Sequence, residues 1–192
     1  MAWASAGYRP TQMTIACPAC RGPALFRRAV GLRLHSAEQR ARLAASPHFR
    51  ILETDGQGAP IALYRYGLGA PAPENLPELT PDEVRALPMD GPWPPHDVEG
   101  SVLCDTCGHR AAHRVNWPAE AFFQIEHRGQ GLWAWHRAGA EAALRMAETP
   151  GMKPQDDPLH ADYLRRLPTA FFTAKARDDI ARKLRRLLQE SP

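Results

Sequence analysis

The sequence predicts an α+β fold. β-Hairpins carry two Cys-x-x-Cys turns, a helix, a hairpin and a proline-rich strap are inserted between those turns, and a helical segment closes the chain. Three observations predict it. All four cysteines fall in two pairs, Cys17-Pro18-Ala19-Cys20 and Cys104-Asp105-Thr106-Cys107. Of nineteen prolines, about twice the usual share, eight fall between residues 70 and 100 and remove backbone donors there. From about Thr173 to Gln189, apolar positions recur at intervals of three and four, as one face of a helix requires.

The elements follow in order. Met13-Thr14-Ile15-Ala16 is a short apolar approach to the first cysteine pair, and Ala24-Leu25-Phe26-Arg27-Arg28-Ala29-Val30 reads as the returning strand. Ser36 before Ala37-Glu38-Gln39 has the capping-box pattern, with the serine oxygen and the glutamine side chain satisfying open amides at a helix start. That helix runs to about Ala45 and stops at Pro47. Phe49–Glu53 and Ile61–Tyr66 flank Asp55-Gly56-Gln57-Gly58, whose glycines permit a tight reversal, so a hairpin is expected. Within the strap, Thr80-Pro81-Asp82-Glu83 supplies a cap, a first-turn proline and an acid three places on, predicting a short helix through Leu87. Beyond the second pair, His113–Trp117 reads as another returning strand. Ala121–Glu126 and Leu132–Trp135 read as arms of a hairpin turning at Gly129-Gln130-Gly131. The Gly-Gln-Gly tip thus occurs twice, but such reversals arise independently and do not establish two related halves. Ala138–Met146 reads as a helix closed by Thr149-Pro150-Gly151. In the terminal helix Ala176, Ile180, Leu184, Leu187 and Leu188 form the apolar stripe.

These elements divide into residues 1–136, a β-rich domain with the proline-rich insertion 70–100, and residues 137–192, a helical segment packed on or beside it. The net charge of +3 hides an uneven distribution. Residues 1–70 carry nine Lys/Arg against three Asp/Glu, residues 71–100 carry one against seven, and residues 101–192 carry fourteen against eleven. An acidic strap therefore joins two basic parts. Folding onto its own basic surfaces is the favoured reading of it, ahead of a cover over a nucleic-acid patch. No apolar run approaches the roughly 20 residues that span a bilayer, and the first residues lack a basic start and an apolar stretch, so a cytoplasmic protein is expected.

In a reducing compartment, four cysteines in this pattern are more often metal ligands than disulfides. Cys17, Cys20, Cys104 and Cys107 are expected to hold one structural Zn2+. Two residues between paired cysteines let one turn hold both sulfurs near one ion, and two facing turns complete a tetrahedral sulfur shell. Gly108 directly after Cys107, and Gly22 two beyond Cys20, supply permissive backbone for the turns. Four thiolates around one Zn2+ sum to −2, which Arg21, His109 and Arg110 are placed to offset. Closing the 83 intervening residues as a featureless loop would cost about 4 kcal/mol. Structural zinc binding is worth roughly 10–16 kcal/mol in small peptides, so the metal outweighs the loop. Disulfide exchange at Cys-Pro-Ala-Cys would need a long helix directly after the motif, and it leaves the second pair unexplained. Catalytic zinc would need an open coordination position. His109 and His113 lie near enough in sequence to replace a cysteine, but are better read as polar residues beside the turn.

Other signals are weaker. Trp133 and Trp135 alternate along a strand, so both indoles share a side. Burial against the terminal helix is favoured over a base-stacking platform, and Phe122, Phe123, Phe171 and Phe172 are assigned to the core likewise. Lys175, Arg182, Lys183, Arg185 and Arg186 could follow phosphates, although Asp178, Asp179 and Glu190 dilute that charge. No phosphate loop, nucleophile elbow or helical His-Glu-x-x-His occurs, and the adjacent carboxylates Asp156-Asp157 and Asp178-Asp179 splay apart on a helix.

Taken together, the two cysteine motifs, Leu132-Trp133-Ala134-Trp135, and Leu167-Pro168 followed by Ala174–Asp178 resemble a group of bacterial zinc-ribbon proteins. In those proteins a cysteine ribbon precedes a Leu-Trp-Ala segment and a helical tail, which is similar to residues 101–189. The resemblance implies a zinc-ribbon-like fold and no activity, and the group's ribbon is often compact, without the insertion between the pairs. The expectation is a non-catalytic, zinc-stabilised interaction protein with a protein partner. The alternative is a nucleic-acid-binding ribbon using the basic terminal helix, and third comes an enzyme of unknown reaction.

Overall fold

In the computed structural model of the chain, residues 11–53, 59–64, 71–87 and 98–190 are described. They form a mixed α+β structure with small antiparallel sheets and five α-helices. The reversal expected at residues 55–58 and the strap residues 88–97 lie outside the described residues. The strands β1 (Gln12–Ala16), β2 (Pro23–Arg28), β6 (Val98–Leu103) and β7 (Arg110–Val115) form one sheet in the order β1-β2-β6-β7. β3 (Val30–Arg33), β4 (Phe49–Leu52) and β5 (Ile61–Tyr64) form a second, in the order β3-β5-β4, and β8 (Phe123–His127) pairs with β9 (Gln130–Ala134). The chain divides into two units, Met1–Gln12 with Leu25–Asn116 and Met13–Ala24 with Trp117–Pro192.

The returning strand expected over residues 24–30 is two strands, because the chain changes sheets at Ala29: β2 pairs with β6 and β3 with β5. β5 is central in its sheet, with Val30 and Phe49 both registered on Tyr64. Alternating residues of these strands, Val30, Leu32, Ala62 and Tyr64, face a core completed by Leu43 of helix α1 (Ala37–Ala44) and by Leu76 and Leu87. The expected caps form. Ser36 Oγ accepts from Gln39 N at 3.1 Å, and the Gln39 side chain accepts from His35 N at 2.8 Å. Helix α2 (Pro81–Ala86) carries a complete capping box between Thr80 and Glu83. Glu83 also receives Gln39 Nε2 at 2.7 Å and Arg42 Nη2 at 2.5 Å, which ties α2 to α1. Irregular structure through Gly100 was expected, but β6 begins at Val98, beyond the prolines.

β2, β6 and β7 place Phe26, Gly100, Val102, His113 and Val115 on one face by their registers. Gly100 has no side chain because there is no room for one. An added Cβ would lie 2.6 Å from Phe26 Cζ and closer still to the Arg27 carbonyl oxygen. Phe26, which is fully buried, meets the His113 ring edge-on at 6.2 Å, and His113 is the registered neighbour of Gly100.

In the second unit, the hairpin β8–β9 turns at Arg128-Gly129 and not at Gly129-Gln130-Gly131. Arg128 (φ 52) and Gly129 (φ 74) both adopt the left-handed conformation a two-residue primed turn demands, so Gln130 and Gly131 already belong to β9. Helices α3 (Arg137–Glu148), α4 (Ala161–Arg166) and α5 (Arg177–Gln189) complete the unit. Alanines 142, 143 and 147 of α3 let α5 approach closely, and Ile180 and Leu184 of α5 enter the core with Leu164, Leu167 and Phe171. Helix α4 has no counterpart among the sequence-based expectations. The terminal helix begins at Arg177, later than expected, because residues 173–176 form a turn in which Ala176 N and Arg177 N both donate to Thr173 O.

α5 is tied to β8 by hydrogen bonds, from Lys183 Nζ to Glu126 O at 2.7 Å and between His127 Nδ1 and Asp179. Asp179 takes Lys183 Nζ and His127 Nδ1, each at 2.9 Å, and also pairs with Arg182. The Lys183 hydrogen bond, followed by that of His127, draws the Asp179 carboxyl from 3.8 down to about 2. A carboxylate depressed in the folded state stabilises fully above its unfolded value and loses that contribution as pH falls through the folded one. Asp179→Asn should therefore lower the urea midpoint relative to wild type at pH 5. The difference should shrink between pH 4 and pH 2; a gap of constant size across that range would show that the contribution is not ionic.

Candidate metal centre

Both cysteine turns are built the same way. Arg21 N donates to Cys17 O and Gly108 N to Cys104 O, each at 2.9 Å. Cys17 N in turn donates to Gly22 O at 2.7 Å, and Cys104 N to His109 O at 2.9 Å. In both turns the residue after the second cysteine is left-handed, with φ 64 at Arg21 and φ 72 at Gly108. The permissive position is thus Arg21 and not Gly22, because the reversal must be complete one residue after the pair. Left-handed backbone costs an L-residue about 1 kcal/mol that glycine avoids. Arg21→Gly should raise thermal stability by about 0.5–1 kcal/mol, whereas Gly108→Ala, with open space around its Cβ, should lower it by about 1 kcal/mol. Thermal melts of the two variants check the sign of each.

The four sulfur atoms of Cys17, Cys20, Cys104 and Cys107 all lie within 4.8 Å of one another, and the group could hold a metal ion. Cys17 and Cys104, which lead their turns, are buried, and Cys20 and Cys107 are exposed. The group includes no histidine. His109 serves the second turn through its carbonyl, and the His113 ring is packed on Phe26.

The other candidate residues do not gather into a site. Arg182 and Lys183 share Asp179, Lys183 also donates to Glu126 O at 2.7 Å, Arg185 pairs with Glu148 at 2.6 Å, and Arg186 pairs with Glu190 at 2.9 Å. Among the described residues Lys175 has no ion pair. Such exposed pairs stabilise little, but a phosphate would have to displace them one by one. Trp133 of β9 and Trp135 just beyond it are half-buried, alternating with the buried Leu132 and Ala134, and are not enclosed beneath α5 as expected. They meet Trp117, which stacks on Trp135 at 4.1 Å and 14° and stands edge-on to Trp133 at 5.2 Å. Trp117 was not singled out from the sequence, because nothing local distinguishes a tryptophan that ends a strand from one that joins a cluster. Phe123 and Phe171 are fully buried as expected, with Phe122 and Phe172 half-buried beside them.

Among the described residues, no helix is long and apolar enough to cross a membrane. The chain matches no known family model, no curated protein and no solved structure.

Proposed function

We propose that the chain is a non-catalytic interaction protein stabilised by one structural Zn2+ on Cys17, Cys20, Cys104 and Cys107, with a zinc-ribbon-like arrangement of its cysteine hairpins. The observation that carries this reading is the clustering of four sulfurs and no other donor type. Zinc–sulfur bonds of about 2.3 Å in a tetrahedron separate sulfurs by about 3.8 Å, so a group already within 4.8 Å needs only small adjustments to close on the ion. Four sulfurs fill zinc's coordination, leave no position for a substrate, and suit softer metals over magnesium or calcium.

The partner we infer is a protein. Trp117, Trp133 and Trp135 form a half-buried cluster, and tryptophan is among the residues enriched at the energetic centres of protein interfaces. The nucleic-acid reading is disfavoured by the carboxylate and carbonyl partners that occupy the α5 cations. Elemental analysis of the purified chain tests the metal, with one zinc per chain expected. Affinity purification from the native host tests the partner. A protein retained near stoichiometry by wild type and lost with Trp133→Ser/Trp135→Ser supports the reading. Retention of nucleic acid that falls steeply with salt and with charge reversal at Arg182, Lys183, Arg185 and Arg186 would overturn it.

A further inference from the structure

We infer that Cys20 and Cys107 form the oxidisable half of the metal shell, so that the site is a redox-sensitive latch that opens by losing its ion. The inference rests on the metal reading above and goes beyond it by dividing the four ligands into two kinds. Cys17 is fully buried and Cys104 is 2% exposed, whereas Cys20 and Cys107 are both exposed. The division follows from the turns. Each leading cysteine directly follows a strand and is enclosed by two backbone hydrogen bonds that cross its turn. Each second cysteine sits further along the turn, next to the left-handed residue.

Oxidation by a peroxide requires its oxygen to reach the sulfur in line, so access separates ligands that are otherwise chemically alike. The step balances with hydrogen peroxide as the oxidant. The Cys20 thiolate attacks the O–O bond, takes one oxygen as a sulfenic acid and releases hydroxide, which a solvent proton converts to water. The Cys107 thiolate then displaces the sulfenic oxygen, which leaves as a second water after protonation, and a disulfide forms. Two thiolates have given up two electrons, one peroxide has become two waters, and two protons have come from solvent. The two sulfurs start within 4.8 Å and must reach about 2.05 Å, a movement that exposed turn positions can supply. An ion left with only Cys17 and Cys104 has lost half its ligands. A dithiol reductant would regenerate both thiolates and allow rebinding.

The test uses the zinc-loaded full chain titrated with hydrogen peroxide, reading released zinc with a colorimetric chelator and mapping cysteines by differential alkylation and mass spectrometry. The expected result is one zinc released per disulfide formed. The first disulfide should join Cys20 to Cys107, Cys17 and Cys104 should remain alkylatable, and reductant plus zinc should restore the metal. Retention of zinc at several-fold excess peroxide would overturn the inference. So would a first disulfide within either turn, Cys17–Cys20 or Cys104–Cys107. A chain that purifies without metal and takes up none would overturn the metal reading and this inference with it, which elemental analysis registers before any oxidant is added.

Discussion

On the proposed zinc reading, replacing Cys104 with serine should reduce bound zinc from one ion per chain to a small fraction and lower the thermal midpoint by about 10–20 °C. Cys104 is buried and its three partner sulfurs lie within 4.8 Å, and among the described residues the group includes no other donor to take its place. Serine keeps the shape of the residue but is not a usable ligand, because its hydroxyl does not ionise at neutral pH as a metal-bound thiol does. Structural zinc contributes roughly 10–16 kcal/mol in small peptides, and loss of one of four ligands plus burial of an unpaired hydroxyl forfeits on the order of 5 kcal/mol of it. For a chain of this length about 1 kcal/mol moves the midpoint by about 2–4 °C. Elemental analysis and a melt followed by circular dichroism measure the two effects. An unchanged midpoint accompanied by full loss of metal would separate the ion from the stability of the fold.

The grouping of the four cysteines could be read from the sequence because two residues between paired cysteines let one turn hold both sulfurs near one point. The caps at Ser36 and Thr80 were readable for a similar reason: the bonds that define them span three or four residues. What could not be read was set by contacts distant in sequence. β3 is four residues long and exists because β5 pairs with it, and α4 is held by the core that Leu164 enters. The alternation of Trp133 and Trp135 fixes that they share a side. It does not fix which side, and the core chose the smaller Leu132 and Ala134.

The basic helix shows the same limit. Its apolar stripe at Ile180, Leu184 and Leu188 follows from spacing alone. The partners of its cations do not, since Arg185 finds Glu148 and Lys183 finds the carbonyl of Glu126, both from other elements. A charge run in sequence is therefore a count of cations, and only the fold decides how many are already engaged. The turn after the first cysteine pair is a local counterexample. Gly22 looks like the permissive residue by composition, yet the hydrogen bond from Arg21 N to Cys17 O places the reversal one residue earlier.

Gly100→Ala should be strongly destabilising, costing about 3 kcal/mol and lowering the midpoint by about 6–12 °C. Glycine inside a strand ordinarily weakens it, so replacement by alanine would be expected to help unless another atom occupies the space. At Gly100 the space is taken twice, by Phe26 Cζ at 2.6 Å from the added Cβ and by the Arg27 carbonyl oxygen nearer still. Gly131 is the control, a strand glycine whose added Cβ meets nothing within 4 Å, and Gly131→Ala should fall within about 0.5 kcal/mol of wild type. The two obstacles at Gly100 can also be separated. Phe26→Leu removes the ring, but the oxygen belongs to the backbone of β2, whose Arg27 is registered on Ser101 and cannot withdraw without breaking the β2–β6 pairing. The double variant Phe26→Leu/Gly100→Ala should therefore recover little of the loss over Phe26→Leu alone. Full recovery would place the whole cost on the aromatic ring and leave the backbone approach without energetic consequence.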